Sequence, residues 1–215
     1  MKLSTTIAWG AGIGLIVLLL GYLAFAHQPG SQQVVATTPI TVADPESLAG
    51  INTSAAPWAP EIAHLAARLA ADSLPQLTME GEVLHIHQHL DLYIDGEKVA
   101  VPAGVGINES AGWLSPIHVH DTSGIIHVES PYVATFTLGE FFDVWGVRFT
   151  DKCIGGYCTD SAHTLVVFVN GKEVNGDPRN LVLAAHQEIA VIYGGMGVDA
   201  KPTVIPSSYQ FPAGY

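Results

Sequence analysis

Histidines at alternating positions are the residues of this 215-residue chain whose type and spacing could carry out chemistry. Six of its ten histidines lie within residues 85–127. Neutral imidazole is a good ligand for zinc, copper, nickel and iron. In an extended strand, residues two apart point to the same face, so His118 and His120 place two imidazoles within reach of one ion. This pair predicts a transition-metal site that a neighbouring strand completes.

His127 is the candidate third ligand, and the turn between the two strands decides whether it can serve. If Asp121 pairs with Gly124, His118 lies opposite His127 on one face, whereas a three-residue loop would turn His127 to the other face. The first register is favoured because it places the apolar residues of both strands together on the core side. Glu129 shares the face of His127 and could orient a ligand or act as a base.

A second histidine stripe lies in residues 83–95, where apolar and polar side chains alternate with a period of two and Gln88 is the exception. This pattern predicts a long strand with one core face and one histidine-rich face. The histidines could complete the same metal site, form a second one or provide a proton-buffering surface. The polar positions are His85, His87, His89, Asp91 and Tyr93.

The elements that must position these residues are mainly β-strands. Turn residues predict hairpins at Asp95-Gly96, over 116–130 and at Asn170-Gly171, and the pattern of 187–193 predicts a final strand. The expected fold is therefore mainly β (α+β). It is one β-sheet, sandwich-like or barrel-like domain built from hairpins and carrying one short packed helix.

That packed helix is expected over 138–145, because Thr137 and Glu140 form a capping-box pattern before a run of apolar residues at helical spacing. A further short helix is expected over roughly 60–73, where Pro60 suits the first turn. Both helices are expected to serve packing.

Cys153 and Cys158 are the two cysteines of the chain. Their spacing allows a small disulfide loop, which would persist in an oxidising compartment, and metal ligation and redox chemistry are the alternatives. The chain has no CxxC motif, Walker loop, GxSxG elbow or HExxH helix. Whether it is an enzyme is therefore left open by its motifs.

Residues 7–26 carry no charge and, at about 20 residues, could cross a hydrocarbon core of about 30 Å as a helix. Lys2 precedes this stretch and the next basic residue is Arg68, which favours a cytoplasmic N-terminus over 1–6 and a single-pass anchor. A cleaved signal peptide is the alternative, because Ala24-Phe25-Ala26 has the form of a cleavage site. Both interpretations place the remainder outside the cytoplasm, in the periplasm or the extracellular space.

The remainder divides into a polar segment over 27–57, a domain over 58–199 and a tail over 200–215. The composition of 27–57 predicts a disordered tether, and the tail is expected to be an extended loop. The net charge of −12 excludes a basic nucleic-acid footprint and disfavours contact with anionic lipid, so membrane contact is expected through the anchor alone.

Four segments of the chain also resemble a group of prokaryotic proteins that have an N-terminal hydrophobic anchor and no established activity. The resemblance covers most of residues 80–195 and implies a shared domain without implying a function. The HxH strands are superficially similar to cupin motifs, but the glycine and proline framing of cupin motifs is missing. The four segments are HIHQHLDLYIDGEKVAVPAGVGI (85–107), PIHVHDTSGIIHVESP (116–131), FTLGEFFDVWGV (136–147) and HQEIAVIYG (186–194).

The predicted function is that of a membrane-anchored extracytoplasmic protein that binds copper or zinc for storage, delivery or sensing, with iron also compatible. One alternative is a metalloenzyme that uses His118, His120 and His127 with one open coordination position. The other is a tethered interaction domain whose histidines form a pH-responsive surface without a metal. The predicted partners are the metal ion and, through the N-terminal anchor alone, the membrane; the sequence does not indicate which proteins it contacts.

Overall fold

The computed structural model describes residues 44–195 and 204–215 of the chain. The predicted anchor over 7–26 and the first part of the predicted tether lie outside these residues. In the described ranges, no helix is long and apolar enough to cross a membrane.

Within the described residues the domain is mainly β, as predicted, and it contains two short α-helices. The helices are α1 (Leu65–Ala71) and α2 (Leu138–Trp145). The strands are β1 (Leu84–Ile94), β2 (Glu97–Val99), β3 (Ile107–Asn108), β4 (Trp113–Leu114), β5 (Ile117–His118), β6 (Ile125–Ser130), β7 (Cys153–Ile154), β8 (Tyr157–Cys158), β9 (His163–Val169), β10 (Lys172–Glu173) and β11 (Glu188–Gly195).

Seven strands of the described part form one sheet, in the order β10-β9-β11-β1-β6-β5, and β2 pairs with the end of β1. The strands of β3–β4 and of β7–β8 form separate two-stranded ladders. The Asp95-Gly96 and Asn170-Gly171 hairpins form as predicted. All four turn residues have positive φ, which the right-handed twist of a two-residue hairpin requires.

The centre of the sheet departs from an arrangement made of hairpins alone. β1 runs parallel to β11 and antiparallel to β6, so β1 is flanked by one strand from the middle of the domain and one from its C-terminal end. A parallel pair needs a long connection, and patterns of adjacent residues do not reveal such a pairing. β1 is consequently an inner strand, and its polar residues from His87 to Asp91 are buried.

The helix α2 begins and ends at the predicted residues and has the predicted capping box. Its apolar side chains join those of the sheet in one core cluster. All eight of its residues are buried, including Asp143, whose carboxylate receives two hydrogen bonds from Arg179. The helix is therefore enclosed on every side, whereas the sequence predicted one buried face.

Two predicted boundaries differ from the structure. The helix α1 begins at Leu65 instead of residue 60, because Glu61 is held outside the helix by a backbone hydrogen bond to Trp145 and by its carboxylate contact with Arg68. Residues 44–57, predicted as part of a disordered tether, pack on the domain. Asn52 pairs there with the backbone that follows α2.

Candidate metal centre

Three histidines form a row across three neighbouring strands of the sheet. His87 of β1 lies opposite His127 of β6, and His127 lies opposite His118 of β5. The ring centroids are 4.6 Å apart for His87 and His127 and 5.3 Å apart for His127 and His118. The predicted register of β5 on β6 is therefore confirmed, and the register of β1 adds a histidine to the same row.

Glu129 lies in the middle of this histidine cluster. It follows His127 by two residues on β6 and is paired across the ladder with His85 of β1. Its Oε1 is 2.9 Å from Nδ1 of His127 and 3.3 Å from Nε2 of His85. Its Oε2 is 3.8 Å from Nε2 of His118 and has no hydrogen-bond partner among the described residues. One buried carboxylate thus faces histidines of all three strands.

The ring of His118 is oriented by the loop that precedes β5. Nδ1 of His118 is 3.0 Å from the main-chain oxygen of Ser115. Because a carbonyl oxygen only accepts, Nδ1 carries the hydrogen and Nε2 carries the lone pair. Nε2 lies 3.1 Å from Nε2 of His120 and faces Glu129. The lone pair of a fully buried imidazole is therefore directed into the cluster.

The charges of the cluster favour a cation. Burial lowers the pKa of His118 to about 4, against the opposing effect of the Glu129 charge. Burial, followed by the charges of His127 and His85, lowers the pKa of His87 to about 4 as well. Burial alone would raise the pKa of Glu129, but the hydrogen bond from His127 and the surrounding histidines lower it overall. Near pH 7 the cluster therefore combines the neutral imidazoles of His118 and His87 with an ionised carboxylate.

Five of the six histidines predicted as ligands are brought together around Glu129. Among the described residues, candidate ligand atoms lie within 4.8 Å of one another in each of three groups. The first two groups share Glu129, and the third contains the sixth histidine. The groups are His118, His120, His127 and Glu129; His85, His87 and Glu129; and His89, Asp91 and Glu188.

His89 does not join the cluster. Its Nδ1 is 2.7 Å from Oε2 of Glu188, and its Nε2 is 3.0 Å from the main-chain oxygen of Ser123. Both ring nitrogens are thus engaged, and one of these contacts holds the β5–β6 turn against β1. The ring also stacks on Tyr209 at a centroid distance of 3.7 Å. His89 instead belongs, with Asp91 and Glu188, to the third candidate group, which is separate from the cluster around Glu129.

Residues 204–215 lie against the histidine face, which the sequence did not predict. The ring of Tyr215 is 4.7 Å from that of His87 and 5.6 Å from that of His127, between centroids. His186 contacts the same segment through Nε2, which is 3.1 Å from the main-chain oxygen of Tyr215. Residues 209–215 contain three aromatic side chains, which could have suggested that this segment packs on the domain. Their contact with β1 could not be predicted from the sequence.

The remaining predicted residues lie apart from the cluster. Cys153 and Cys158 are joined by a disulfide between β7 and β8, which removes both thiols as ligands. His163 contacts the carboxylate of Asp160, with Nδ1 2.9 Å from Oδ1. His163 therefore belongs to a separate surface pair.

Comparisons with known proteins give no further assignment of this site. The chain matches no protein-family model, no curated protein and no solved structure. The chemistry of the donor atoms therefore has to indicate what the cluster binds.

Proposed function

We propose that this chain is a membrane-anchored extracytoplasmic protein that binds a transition-metal ion, Cu(II) or Zn(II), through His118, His120, His127 and Glu129. One observation carries the proposal. Ligand atoms of these four side chains lie within 4.8 Å of one another, on the paired strands β5 and β6 and, for His120, just beyond the end of β5.

The donor set supports a transition metal over the hard cations. Three imidazoles and one carboxylate are ligands that Zn(II) and Cu(II) accept, whereas Mg(II) and Ca(II) prefer oxygen donors throughout. The contact between His118 and Ser115 supplies the outer hydrogen bond that orients a metal-bound imidazole. In the described residues, Glu129 pairs with histidines and with no lysine or arginine, so a bound cation would balance its charge.

The number of donor groups favours metal storage, delivery or sensing over catalysis. Three histidines and a carboxylate fill a tetrahedral shell, whereas a catalytic zinc keeps one position open. A metalloenzyme is the second candidate, because Oε1 of Glu129 accepts a hydrogen bond from His127 at 2.9 Å, as an orienting carboxylate would. If Glu129 kept that role, His118, His120 and His127 would leave one position free.

A metal-free interaction surface is less well supported. Histidines that sense pH at a surface need contact with solvent, yet His87, His118 and His127 are buried. The location outside the cytoplasm rests on the charge-free stretch over 7–26 and on the Cys153–Cys158 disulfide, which suits an oxidising compartment.

The metal content of the full chain tests this function. The protein would be purified in mild detergent without chelator or affinity histidines, loaded with Cu(II) or Zn(II), and measured by plasma mass spectrometry. A His118→Ala/His120→Ala variant should lose at least one ion per chain. The matched control, His64→Ala/His163→Ala, removes two histidines outside the cluster and should keep the full content. An absence of metal in the unmodified chain would overturn the proposal.

A further inference from the structure

The two oxygens of Glu129 face different sets of histidines. Oε2 faces His118, with 3.8 Å to Nε2, on the side of β5. Oε1 faces the histidines of β1, with 3.3 Å to Nε2 of His85 and 3.8 Å to Nε2 of His87, and it also accepts a hydrogen bond from Nδ1 of His127 at 2.9 Å. The carboxylate therefore lies between the histidines of two strands that flank β6 on opposite sides.

The histidines of β1 form a donor group of their own. The rings of His85 and His87 are 4.9 Å apart between centroids, and their ligand atoms lie within 4.8 Å of each other and of Glu129. His120 belongs to the other group and is not part of this one. The residues that remain after His118, His120 and His127 bind one ion are thus sufficient to hold a second.

A single ion does not account for both groups together. Five imidazoles and a carboxylate exceed the four positions of a tetrahedral Zn(II) site or a square-planar Cu(II) site. Carboxylates commonly bridge two ions in paired metal sites, because each oxygen can bind one of them. The two oxygens of Glu129 face histidines on opposite sides of β6, as a bridging carboxylate requires. Its Oε2 is also buried without a hydrogen-bond partner in the described part of the chain.

We infer that the domain binds two transition-metal ions, with the second held by His85 and His87 and with the Glu129 carboxylate bridging both. This inference rests on the proposed function, because Glu129 also completes the first site. The side chain of His85 is 49% exposed, so an ion could reach the second site directly from solvent.

Copper stoichiometry separates the second site from the first. The full chain, loaded with excess Cu(II) and freed of unbound metal, should hold two ions, and a His85→Ala/His87→Ala variant should hold one. The His64→Ala/His163→Ala control should still hold two. One ion in the unmodified chain and one in the His85→Ala/His87→Ala variant would overturn the second site and leave the first intact. No ion in any form would overturn both.

The bridge is tested by electron paramagnetic resonance of the same samples. Two Cu(II) ions joined by one carboxylate interact magnetically, so the signal of the two-ion form should be broadened or reduced below twice that of the one-ion variant. A signal equal to twice that of the variant would mean separate ions and would overturn the bridging role of Glu129. Circular dichroism of each variant, matching that of the unmodified chain, ensures that a lost ion reflects lost ligands.

Discussion

At the scale of single residues, the histidines of the domain differ in what their ring nitrogens contact. His118 directs one nitrogen to the main chain of Ser115 and the other into the cluster, whereas His89 uses both nitrogens to hold structural partners. The two histidines are on the same face of the sheet and are chemically identical. Of the two, it is therefore His118 whose Nε2 faces the cluster around Glu129.

His120 is the proposed ligand whose removal should separate metal binding from folding. Its side chain is 41% exposed, so His120→Ala should change the free energy of unfolding by no more than about 0.5 kcal/mol. Because the variant lacks one donor of the first site, its affinity for Zn(II) should fall at least about tenfold. Competition with a chromophoric chelator measures the affinity. The exposed His64→Ala variant should bind as the unmodified chain does, and equal affinities in all three forms would rule out His120 as a ligand.

Asp72 should make stability depend on pH. It is buried at the C-terminal end of α1, and both of its carboxylate oxygens lack hydrogen-bond partners within the described ranges. Burial, followed by the charges of Asp143 and Glu140, raises its pKa from 3.8 to about 8. The negative end of the helix dipole disfavours the same charge.

The raised pKa means that folded Asp72 keeps its proton while the unfolded chain loses it. Below about pH 4 both states are protonated, so the effect is absent. Between about pH 4 and pH 8 stability falls as pH rises, by up to about 1.4 kcal/mol per pH unit from this group. Urea unfolding at pH 5 and pH 7 gives the free energy of unfolding at each pH. Asp72→Asn should remove the contribution of this group to the difference between them, while Asp151→Asn, at an exposed residue, should retain it. An unchanged slope in Asp72→Asn would contradict the assignment.

At the scale of elements, the β5–β6 hairpin aligns the residues of the proposed first metal site. Gly124 closes the turn with φ of +88°, and a Cβ there would come within 2.7 Å of the main-chain oxygen of Leu90. That oxygen belongs to β1, so the turn fits against the neighbouring strand with no spare room. The contact between His89 and Ser123 fixes the same turn from the side.

Gly124→Ala should therefore destabilise the domain and weaken metal binding together. The matched control is Gly104→Ala, because Gly104 has φ of +80° but a Cβ there would meet nothing within 4 Å. Urea unfolding should show a loss for Gly124→Ala that exceeds the control by about 1–3 kcal/mol, since the clash displaces the turn. Equal losses in the two variants would show that backbone conformation alone sets the cost.

The elements that could be predicted from the sequence depend on residues close together in the chain. The capping box at Thr137 located α2, and the Asp95-Gly96 turn located the β1–β2 hairpin. The alternation of apolar and polar residues gave the correct register of His118 against His127. Each of these features follows from local backbone geometry and from which face is apolar.

Contacts between distant segments could not be predicted in this way. No local pattern indicates that β1 pairs in parallel with β11 or that His87 lies opposite His127. The contact between the rings of Tyr215 and His87 likewise depends on the path of the chain between them. Whether the cluster binds metal also stays a prediction, because donor geometry permits an ion without requiring it.

At the scale of the whole molecule, metal binding should stabilise the fold. The ligands come from β1, β6 and β5, which are brought together only in the folded sheet, so the unfolded chain should bind metal weakly. With free Zn(II) at 100 times its dissociation constant, the gain for one site is about 2.7 kcal/mol, which corresponds to roughly 5–10 °C in melting temperature for a chain of this size.

Differential scanning calorimetry measures this gain. Adding a strong chelator should lower the melting temperature of the loaded chain by the same amount. The His118→Ala/His120→Ala variant should show a smaller response, because it lacks two donors of the first site. A melting temperature that is unchanged by Zn(II) and by chelator would mean that the ligands do not converge on an ion in the folded state.

The central claim is that His118, His120, His127 and Glu129 bind one ion together, and anomalous diffraction tests it most directly. Crystals of the chain grown with Zn(II) would be measured on both sides of the zinc absorption edge. We expect an anomalous peak among these four side chains, within bonding distance of the three imidazoles. Peaks found only elsewhere on the molecule, with none in this cluster, would contradict it.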